Sequence, residues 1–296
     1  MRTAPAAERT LLLAMRGALS AARALPLRWS RRIGRGGGRF VAGMGSHTFE
    51  VICRNLELAF PDLDASARLA LARRSAMEAG ALLAEFGLVW QAPVEHALAA
   101  VRHVEGGRLL ETDRGCLVLG PHVGNWEVLN HWVARRMPFT VLFDPEGPPQ
   151  IMAWLRQRRA RSGARLHPLG PGGLRAALAA LRAGEAVGLL PDQVPSRDAG
   201  VHVPFFGAQA LTMTLVQRLL RRTGARAVFA VAARVEGGFD LRFSAAEGID
   251  VSDPEIAARA LNAGIEDCVR PLLPQYLWAY KRYKRPPPGR PDPYRR

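Results

Sequence analysis

The sequence predicts an α/β protein with a mostly parallel central sheet, flanked by helices and preceded by a helical N-terminal segment. From residue 115 onwards short apolar runs alternate with longer amphipathic segments, the pattern of strands that return to one sheet through helices. A length of 296 residues and a hydrophobic content of 48% suffice for one large folded domain or two small ones. No internal repeat interrupts this organisation.

The N-terminal segment, residues 1–50, begins with the pattern of a basic amphipathic helix. Arg2, Arg9, Arg16 and Arg23 recur every seven residues, so on a helix they form one stripe and cut the apolar runs between them to six residues. Because a membrane-spanning helix needs about 20 largely apolar residues, we expect the segment to lie in a membrane interface rather than to cross the bilayer. A solvated basic helix or a disordered leader is the alternative.

Three further features set the expected domain boundaries. Residues 33–46 carry six glycines and are expected to form a flexible hinge or turn. A helix is predicted from about Ala65 to Trp90, with Asp64 as its N-cap. The C-terminal tail contains five prolines and is expected to be extended and disordered. The expected divisions are therefore residues 1–50, a body at 51–283 and a tail at 284–296.

The body contains the alternating elements of the predicted sheet. Strands are expected at 116–120, 139–143, 186–191, 227–233 and 239–244, and helices at 125–136, 148–162, 172–183, 209–223 and 254–270. Ligands of such sheets bind at the carboxyl ends of the strands. Residues that directly follow a strand are thus the first candidates for a functional site.

The net charge of +15 is concentrated at the two ends of the chain. Residues 1–50 carry +7 and residues 281–296 carry +6, which leaves +2 for the middle. Proteins that bind nucleic acid spread basic residues along a phosphate-tracking groove and use aromatic stacking, so this distribution and an aromatic content of 7% argue against nucleic acid. They favour an anionic membrane surface or an acidic carrier protein.

The first body strand leads into a candidate for acid–base chemistry. His122 follows the strand directly, Asn125 can cap the next helix, and Glu127 falls in the first turn of that helix. A carboxylate that accepts a hydrogen bond from one imidazole nitrogen leaves the other nitrogen basic. We therefore expect His122 to be a general base with Glu127 as its partner. The alternative is a surface histidine with no chemical role.

Other chemistries have weaker support in the sequence. Ser162 and Ser196 are not in a G-x-S-x-G motif, which weakens a serine-hydrolase interpretation. The three cysteines form no C-x-x-C pair, so neither a disulfide framework nor a thiolate zinc site is expected. His131 and His167 have no ligand-type spacing with His122. No metal is expected.

Four blocks of the sequence resemble one known family. The segment GPHVGNWE (120–127) is similar to the signature of the late acyltransferases of lipid A biosynthesis, a branch of the glycerophospholipid acyltransferase superfamily whose hallmark is His, four residues, then Asp or Glu. RNLELAFPDLDASAR (54–68), LLPDQVPSRDAGVHVPFFG (189–207) with the Thr212–Thr214 patch, and QYLWAYKRYKRPP (275–287) resemble its other blocks, in the same order. One departure is that many members begin with a more continuous apolar segment.

The resemblance implies roles for particular residues. It makes His122 the catalytic base and Glu127 its partner. Arg159 and Asp192 lie where the family has a functional Arg and Asp, and Gln193 and Asn125 are further candidates for substrate binding. The neighbouring Arg156, Arg158 and Arg161 leave the register of the arginine open, and a solvated helix face is the alternative for each. A turn-forming residue is the alternative for Asp192.

The resemblance also implies the substrates. The donor would be an acyl thioester of acyl carrier protein, with no separate cofactor, and the acceptor a hydroxyl of a phosphorylated glucosamine disaccharide, the lipid A precursor. The reaction would take place at the cytoplasmic face of the inner membrane. Two alternatives remain: an acyltransferase of the same fold acting on another glycolipid or an amino-acid lipid, and a non-catalytic protein that binds the membrane or the carrier.

Overall fold

The computed structural model describes residues 5–295 and contains ten α-helices and nine strands there. The helices are α1 Pro5–Ala24, α2 Leu27–Gly43, α3 His47–Ala59, α4 Ala65–Phe86, α5 Val94–Ala99, α6 Trp126–Ala134, α7 Pro149–Ala160, α8 Pro171–Arg182, α9 Leu215–Thr223 and α10 Pro254–Val269. The strands are β1 Val101–Glu105, β2 Cys116–Leu119, β3 Phe139–Phe143, β4 Arg165–Pro168, β5 Ala186–Leu189, β6 Gly200–Phe205, β7 Ala208–Met213, β8 Arg226–Val235 and β9 Gly238–Ala245. A π-helical turn, Gly87–Gln91, extends α4, and a 3-10 helix, Arg270–Gln275, follows α10.

Seven strands form one sheet in the order β1-β9-β8-β2-β5-β3-β4. All neighbours are parallel except the β8–β9 hairpin, which confirms the predicted mostly parallel sheet. β2 lies in the middle, where Leu119 pairs with Leu189 of β5 on one side and Phe229 of β8 on the other. The carboxyl ends of β2 and β5 are therefore adjacent and in register.

A separate hairpin, β6–β7, corrects one of the expected helices. The helix predicted at 209–223 is wrong over its first residues, because 208–213 form β7 and α9 starts only at Leu215. Phe206 and Gly207 join the two strands with positive φ angles of 47° and 81°, the geometry of a tight hairpin turn. A short apolar run such as ALTM fits a strand or a helix equally well. Here the antiparallel pairing with β6 makes it a strand.

The glycine-rich segment is helical as far as Gly43, so the hinge or turn expected at 33–46 is wrong there, and only residues 44–45 form a turn. Two of its glycines, Gly34 and Gly38, lie on the face of α2 that packs on α4. A β-carbon at Gly34 would lie 2.4 Å from the carbonyl oxygen of Gly80, and one at Gly38 would lie 2.1 Å from that of Ala76. Glycine lowers helix propensity by about 1 kcal/mol per residue. At this crossing the close approach of two backbones outweighs that cost.

The other expectations, for the cap of α4 and for the two ends of the chain, have mixed outcomes. Asp64 caps α4 by accepting from the N–H groups of Ser66 and Ala67, as predicted. The C-terminal tail is not disordered. The hydroxyl of Tyr294 donates a hydrogen bond to the side-chain oxygen of Asn55 on α3 and accepts one from the backbone N–H of Tyr283 at 3.1 Å. α1 is a helix as predicted, although Arg2 lies outside the described residues. Within residues 5–295, no helix combines the length and the apolarity needed to cross a bilayer.

Candidate active site

His122 and Asp192 form a hydrogen-bonded pair at the carboxyl edge of the sheet. Each is the third residue after the end of its strand, β2 for His122 and β5 for Asp192, so the adjacent strand ends bring them together. Asp192 Oδ1 lies 2.7 Å from the Nδ1 of His122, and Oδ2 accepts from the backbone N–H of His122 at 2.9 Å. Asp192 is buried, whereas His122 retains a narrow exposed surface. The imidazole is thus the accessible member of the pair.

The surroundings of the imidazole fix its tautomer. Burial opposes ionisation of Asp192, but the adjacent His122 and its two hydrogen bonds outweigh burial and hold the pKa of Asp192 below its ordinary value. An ionised carboxylate only accepts, so Nδ1 of His122 carries the proton and donates it to Asp192. Nε2 is left as the acceptor, and it lies 3.3 Å from the amide nitrogen of Gln193. The edge of Trp126 packs on the ring, with centroids 4.7 Å apart.

The loop that carries Asp192 is tied to the C-terminal block of the sequence. The backbone N–H of Val194 donates to the hydroxyl of Tyr280 at 3.0 Å, and the N–H of Leu277 donates to the carbonyl of His122 at 2.9 Å. Burial raises the pKa of Tyr276 well above its ordinary value, and the nearby Asp192 charge raises it further. The segment 276–280 therefore holds the loops of His122 and Asp192 in place. The hydroxyl of Tyr276 stays neutral beside the carboxylate of Asp192.

The structure corrects the expected partner of His122. Glu127 lies on α6 and is bound by Arg159 of α7, whose Nε donates to its two carboxylate oxygens at 2.8 and 3.0 Å and whose Nη2 also donates. The first turn of α6 directs Glu127 towards α7, whereas the imidazole is directed towards β5. Asp192 takes the place that sequence reasoning gave to Glu127.

The Glu127–Arg159 pair is a fixed ion pair. Burial opposes ionisation of Glu127, but the charge and hydrogen bonds of Arg159 outweigh burial and lower its pKa. The side chain of Arg159 is 24% exposed, whereas that of Glu127 is 2% exposed. The structure also distinguishes the four arginines of this region: Arg161 donates to backbone carbonyls, Arg158 lies over the ring of Trp154, and Arg159 alone of the four binds a carboxylate of α6.

Asn125 does not have the expected environment. It occupies the N-cap position of α6, but its side chain makes no capping hydrogen bond and is fully buried. Its amide instead donates to Glu85 of α4 at 2.9 Å. Asn125 is consequently shielded from substrate and serves to hold the start of α6.

Glu85 belongs to a buried ionic cluster that the sequence did not reveal. Arg31 of α2 donates to one oxygen of Glu85 at 2.6 Å, and Arg234 of β8 donates to the other at 3.0 Å. Arg234 also donates to the carbonyl of Gly124 at 3.0 Å. The only sequence signal was charged residues on otherwise apolar faces: Arg234 ends the run AVFAVAA, and Glu85 follows ALLA. The cluster fixes the far end of the loop that begins at His122.

Gly124 is the point where this loop touches β8. Its φ is +67°, and a β-carbon there would lie 1.9 Å from the carbonyl oxygen of Ala232. The N–H of the next residue, Asn125, donates to that same oxygen at 2.8 Å. Any side chain at position 124 would push the loop off the sheet, so the glycine in the motif has a steric reason.

The remaining candidates have structural partners. His131 is fully buried, with Nδ1 3.0 Å from the hydroxyl of Ser162 and Nε2 3.2 Å from the carbonyl of Val89. Burial lowers the pKa of His131. This pair fastens α6 to the end of α7 and lies away from solvent. Among residues 5–295, no group of three or more His, Cys, Asp or Glu side chains is arranged to hold a metal ion.

Comparison with known proteins gives a family match over nearly the whole chain. The family described as "Bacterial lipid A biosynthesis acyltransferase" matches residues 6–285. The lipid A biosynthesis lauroyltransferase of Escherichia coli K12 is 28% identical over 272 residues, covering 89% of this chain and 88% of that protein. The palmitoleoyltransferase of the same organism is also 28% identical, covering 80% and 78%, and its myristoyltransferase is 26% identical, covering 88% and 82%.

The match runs through every part of the site. His122, Asp192, Glu127 and Arg159 all lie within the matched residues, and so do α2 and α4 with their ionic cluster. All three relatives are named as enzymes of lipid A biosynthesis, but their names give different acyl groups. The chain is a member of the bacterial lipid A biosynthesis acyltransferase family, and hence an acyltransferase.

Proposed function

We propose that this acyltransferase moves a fatty acyl chain from an acyl carrier protein thioester to a hydroxyl of a lipid A precursor, with His122 as the general base. The observation that carries the proposal is the His122–Asp192 pair. It leaves Nε2 unprotonated, 3.3 Å from the amide nitrogen of Gln193, in a ring that packs on Trp126. That nitrogen is the acceptor that an attacking hydroxyl requires.

The reaction needs no covalent enzyme intermediate. Nε2 takes the proton of the acceptor hydroxyl as its oxygen attacks the thioester carbonyl, and the resulting imidazolium is stabilised by the ionised Asp192. The tetrahedral intermediate then collapses, the carbon–sulfur bond breaks, and the proton on Nε2 passes to the departing thiolate. Acyl ester and free carrier thiol are formed, and His122 returns to its starting state. A thioester is already activated, so one base suffices.

Glu127 and Arg159 have a different task in this proposal. Arg159 is held by Glu127, in the first turn of α6, and its side chain remains partly exposed. A planar guanidinium suits an anionic group, either a phosphate of a substrate or the developing oxyanion. Glu127 is then a positioning residue, because it acts through Arg159. The amide of Gln193, beside Nε2, is placed to contact the acceptor hydroxyl.

Membrane placement is supported by α2. Its outward face carries an apolar stripe, Trp29, Ile33, Phe40 and Met44, whose members are between 46% and 68% exposed. The exposed Arg28, Arg32 and Arg39 flank this stripe, and the opposite face packs on α4. An apolar stripe bordered by arginines fits the boundary between acyl chains and anionic headgroups. We propose that α2, together with α1, holds the protein on the cytoplasmic face of the inner membrane.

The proposed donor follows from charge. The chain carries +15, and its described exposed surface includes arginines on both α1 and α2. Such a surface would steer an acidic carrier protein towards the site. The same positive charge would attract anionic lipids. The carrier protein and the membrane would then both approach the face that carries α1 and α2.

The direct test is mass spectrometry of products. Purified protein is mixed with an acyl carrier protein thioester and a lipid A precursor in detergent micelles, and His122→Ala is compared with the unaltered chain. The expected result is a product one acyl group heavier with the unaltered protein and a rate at least about a hundredfold lower with His122→Ala. Equal rates would contradict the role of His122. No product from any carrier thioester, despite folded protein, would contradict the proposed substrates.

A further inference from the structure

A cleft with a volume of about 360 Å³ lies between α2, α4 and the 3-10 helix 270–275. We name it the arginine cleft. Its lining residues are Arg35, Arg74, Met77, Glu78, Pro271, Leu272, Pro274 and Gln275. Two guanidiniums and one carboxylate thus share a space whose other walls are mostly apolar.

The carboxylate in this cleft is already fully engaged. Glu78 accepts from Nε of Arg35 at 2.8 Å and lies 3.4 Å from Nη1 of Arg234. Arg74 is exposed, and within residues 6–295 it forms no ion pair. The cleft therefore holds a guanidinium that has no protein counter-ion.

The layer behind the cleft adds to the excess of positive charge. Arg31 and Arg234 share Glu85 there, so four arginines, including Arg35 and Arg74, face only Glu78 and Glu85. Burial lowers the pKa of Arg31 against the opposing effect of Glu85, and the charges of Arg234 and Arg35 lower it further. The four guanidiniums exceed the two carboxylates by two positive charges, and this excess favours binding of an anion.

The wall of the cleft is continuous with the catalytic loop. The backbone carbonyl of Gln275 accepts from the N–H of Gly124 at 3.2 Å, and its side-chain oxygen accepts from the N–H of Arg234 at 2.8 Å. Two residues further on, Leu277 binds the carbonyl of His122. The wall of the cleft is therefore in direct contact with the loop that presents the base.

We propose that the arginine cleft binds a phosphate group of the acceptor lipid and so positions the acceptor for acylation at His122. The inference rests on the proposed function, since the lipid A precursor is a phosphorylated sugar lipid. Arg74 supplies the unpaired fork of N–H donors that a phosphate binds, and Met77 and Leu272 offer an apolar wall for the rest of the molecule. The cleft also borders α2, the helix proposed to contact the membrane in which such an acceptor resides.

The test is a binding measurement without donor, so that it does not depend on turnover. The dissociation constant for the phosphorylated lipid A precursor in neutral detergent micelles is compared with that for the same lipid after enzymatic removal of its phosphates. Arg74→Gln is the variant, and Arg73→Gln is the matched control, because Arg73 is an exposed arginine on the same helix that does not line the cleft. Arg74→Lys retains the charge but loses the fork.

The expected result is selective for phosphate. Arg74→Gln should weaken binding of the phosphorylated lipid by about tenfold to a hundredfold, Arg74→Lys by less, and Arg73→Gln hardly at all. None of the three should alter binding of the dephosphorylated lipid. Equal losses for both lipids, equal losses for both glutamine variants, or a loss seen only with anionic phospholipid vesicles would overturn the proposal. Absence of product in the turnover assay would instead count against the proposed function.

Discussion

Two buried carboxylates lie near the same edge of the sheet, and they differ in the partner that each one holds. Asp192 binds the imidazole of His122, whose ring nitrogens can accept and donate a proton. Glu127 binds the guanidinium of Arg159, which remains charged at all accessible pH values. One pair can therefore carry out proton transfer, while the other can only present a fixed charge.

The difference between the pairs also concerns chain distance. Glu127 is five residues from His122 and on the next helix, whereas Asp192 is 70 residues away and follows another strand. Local sequence favours the nearer carboxylate. The fold favours the farther one, because β2 and β5 are neighbours in the sheet although β3 and β4 lie between them in sequence.

The largest effect is expected from Asp192→Asn. An asparagine of the same shape can donate from its amide to Nδ1, so the imidazole proton would move to Nε2 and the base would be lost. We expect kcat to fall by about 10²- to 10⁴-fold. Steady-state rates with carrier thioester and acceptor measure this. Circular dichroism confirms that the variant is folded, and a rate within twofold of the unaltered enzyme would show that Asp192 does not support the base.

A smaller loss of activity is expected from the second pair. Glu127→Gln leaves Arg159 without its counter-ion and should lower kcat/KM by about a hundredfold, because the guanidinium is no longer held in place. Breaking a buried ion pair should also lower the free energy of unfolding by about 3 kcal/mol. Thermal and urea unfolding measure the second effect.

Arg159→Lys sharpens this result. Lysine keeps the positive charge but cannot form the two-pronged contact, so its activity should lie between those of Glu127→Gln and the unaltered enzyme. If the lysine variant were as inactive as Asp192→Asn, the two pairs would not have the separate roles proposed.

Acid stability should separate the two carboxylates from ordinary surface groups. The pKa values of Asp192 and Glu127 are lowered in the folded state, so the unfolded chain binds more protons as the pH falls below about 4. The stability from both groups is fully present above the ordinary carboxyl pKa and is lost as the pH falls through the folded values. Glu127→Gln should therefore show a shallower loss of unfolding free energy between about pH 4 and pH 2. An unchanged slope would mean that the Arg159 pair does not perturb Glu127.

The smallest effect on chemistry is expected far from both pairs. Ile33→Glu on the apolar stripe of α2 should weaken binding to phosphatidylglycerol vesicles by about tenfold or more, through lost apolar burial and charge repulsion. Its kcat in detergent micelles should stay within about twofold, because α2 contacts membrane and not substrate carbonyl. Ile256→Glu is the matched control, since Ile256 is similarly exposed on α10. Equal loss of vesicle binding in both variants would contradict the role of α2.

The sequence predicted the parallel sheet because buried strands such as β2 and β5 are short, continuous apolar runs between amphipathic helices. It missed the edge strands β1 and β4, whose alternating exposed residues carry little hydrophobic signal. It also read the glycines of α2 as a hinge. Local propensity could not reveal that two of them are required by the contact with α4.

The sequence likewise predicted the identity of some site residues but not their contacts. His122, Asp192 and Arg159 were recognised from motif resemblance, and their placement after strands or on α7 agreed with local pattern. Their pairing was not predictable, because it depends on strand order. The ionic cluster of Arg31, Glu85 and Arg234 joins residues up to about 200 positions apart, and no local pattern encodes such contacts.

The central claim is that Asp192 fixes the tautomer of His122 in which Nε2 carries no proton. Nitrogen NMR can test this claim. Protein labelled with ¹⁵N-histidine is recorded above neutral pH, and the His122 signals are identified by their absence in His122→Ala. The account predicts a protonated Nδ1 and an unprotonated Nε2 in the unaltered protein and in Glu127→Gln, with the proton moved to Nε2 in Asp192→Asn. A proton on Nε2 of the unaltered protein, or a tautomer that changes with Glu127 and not with Asp192, would contradict it.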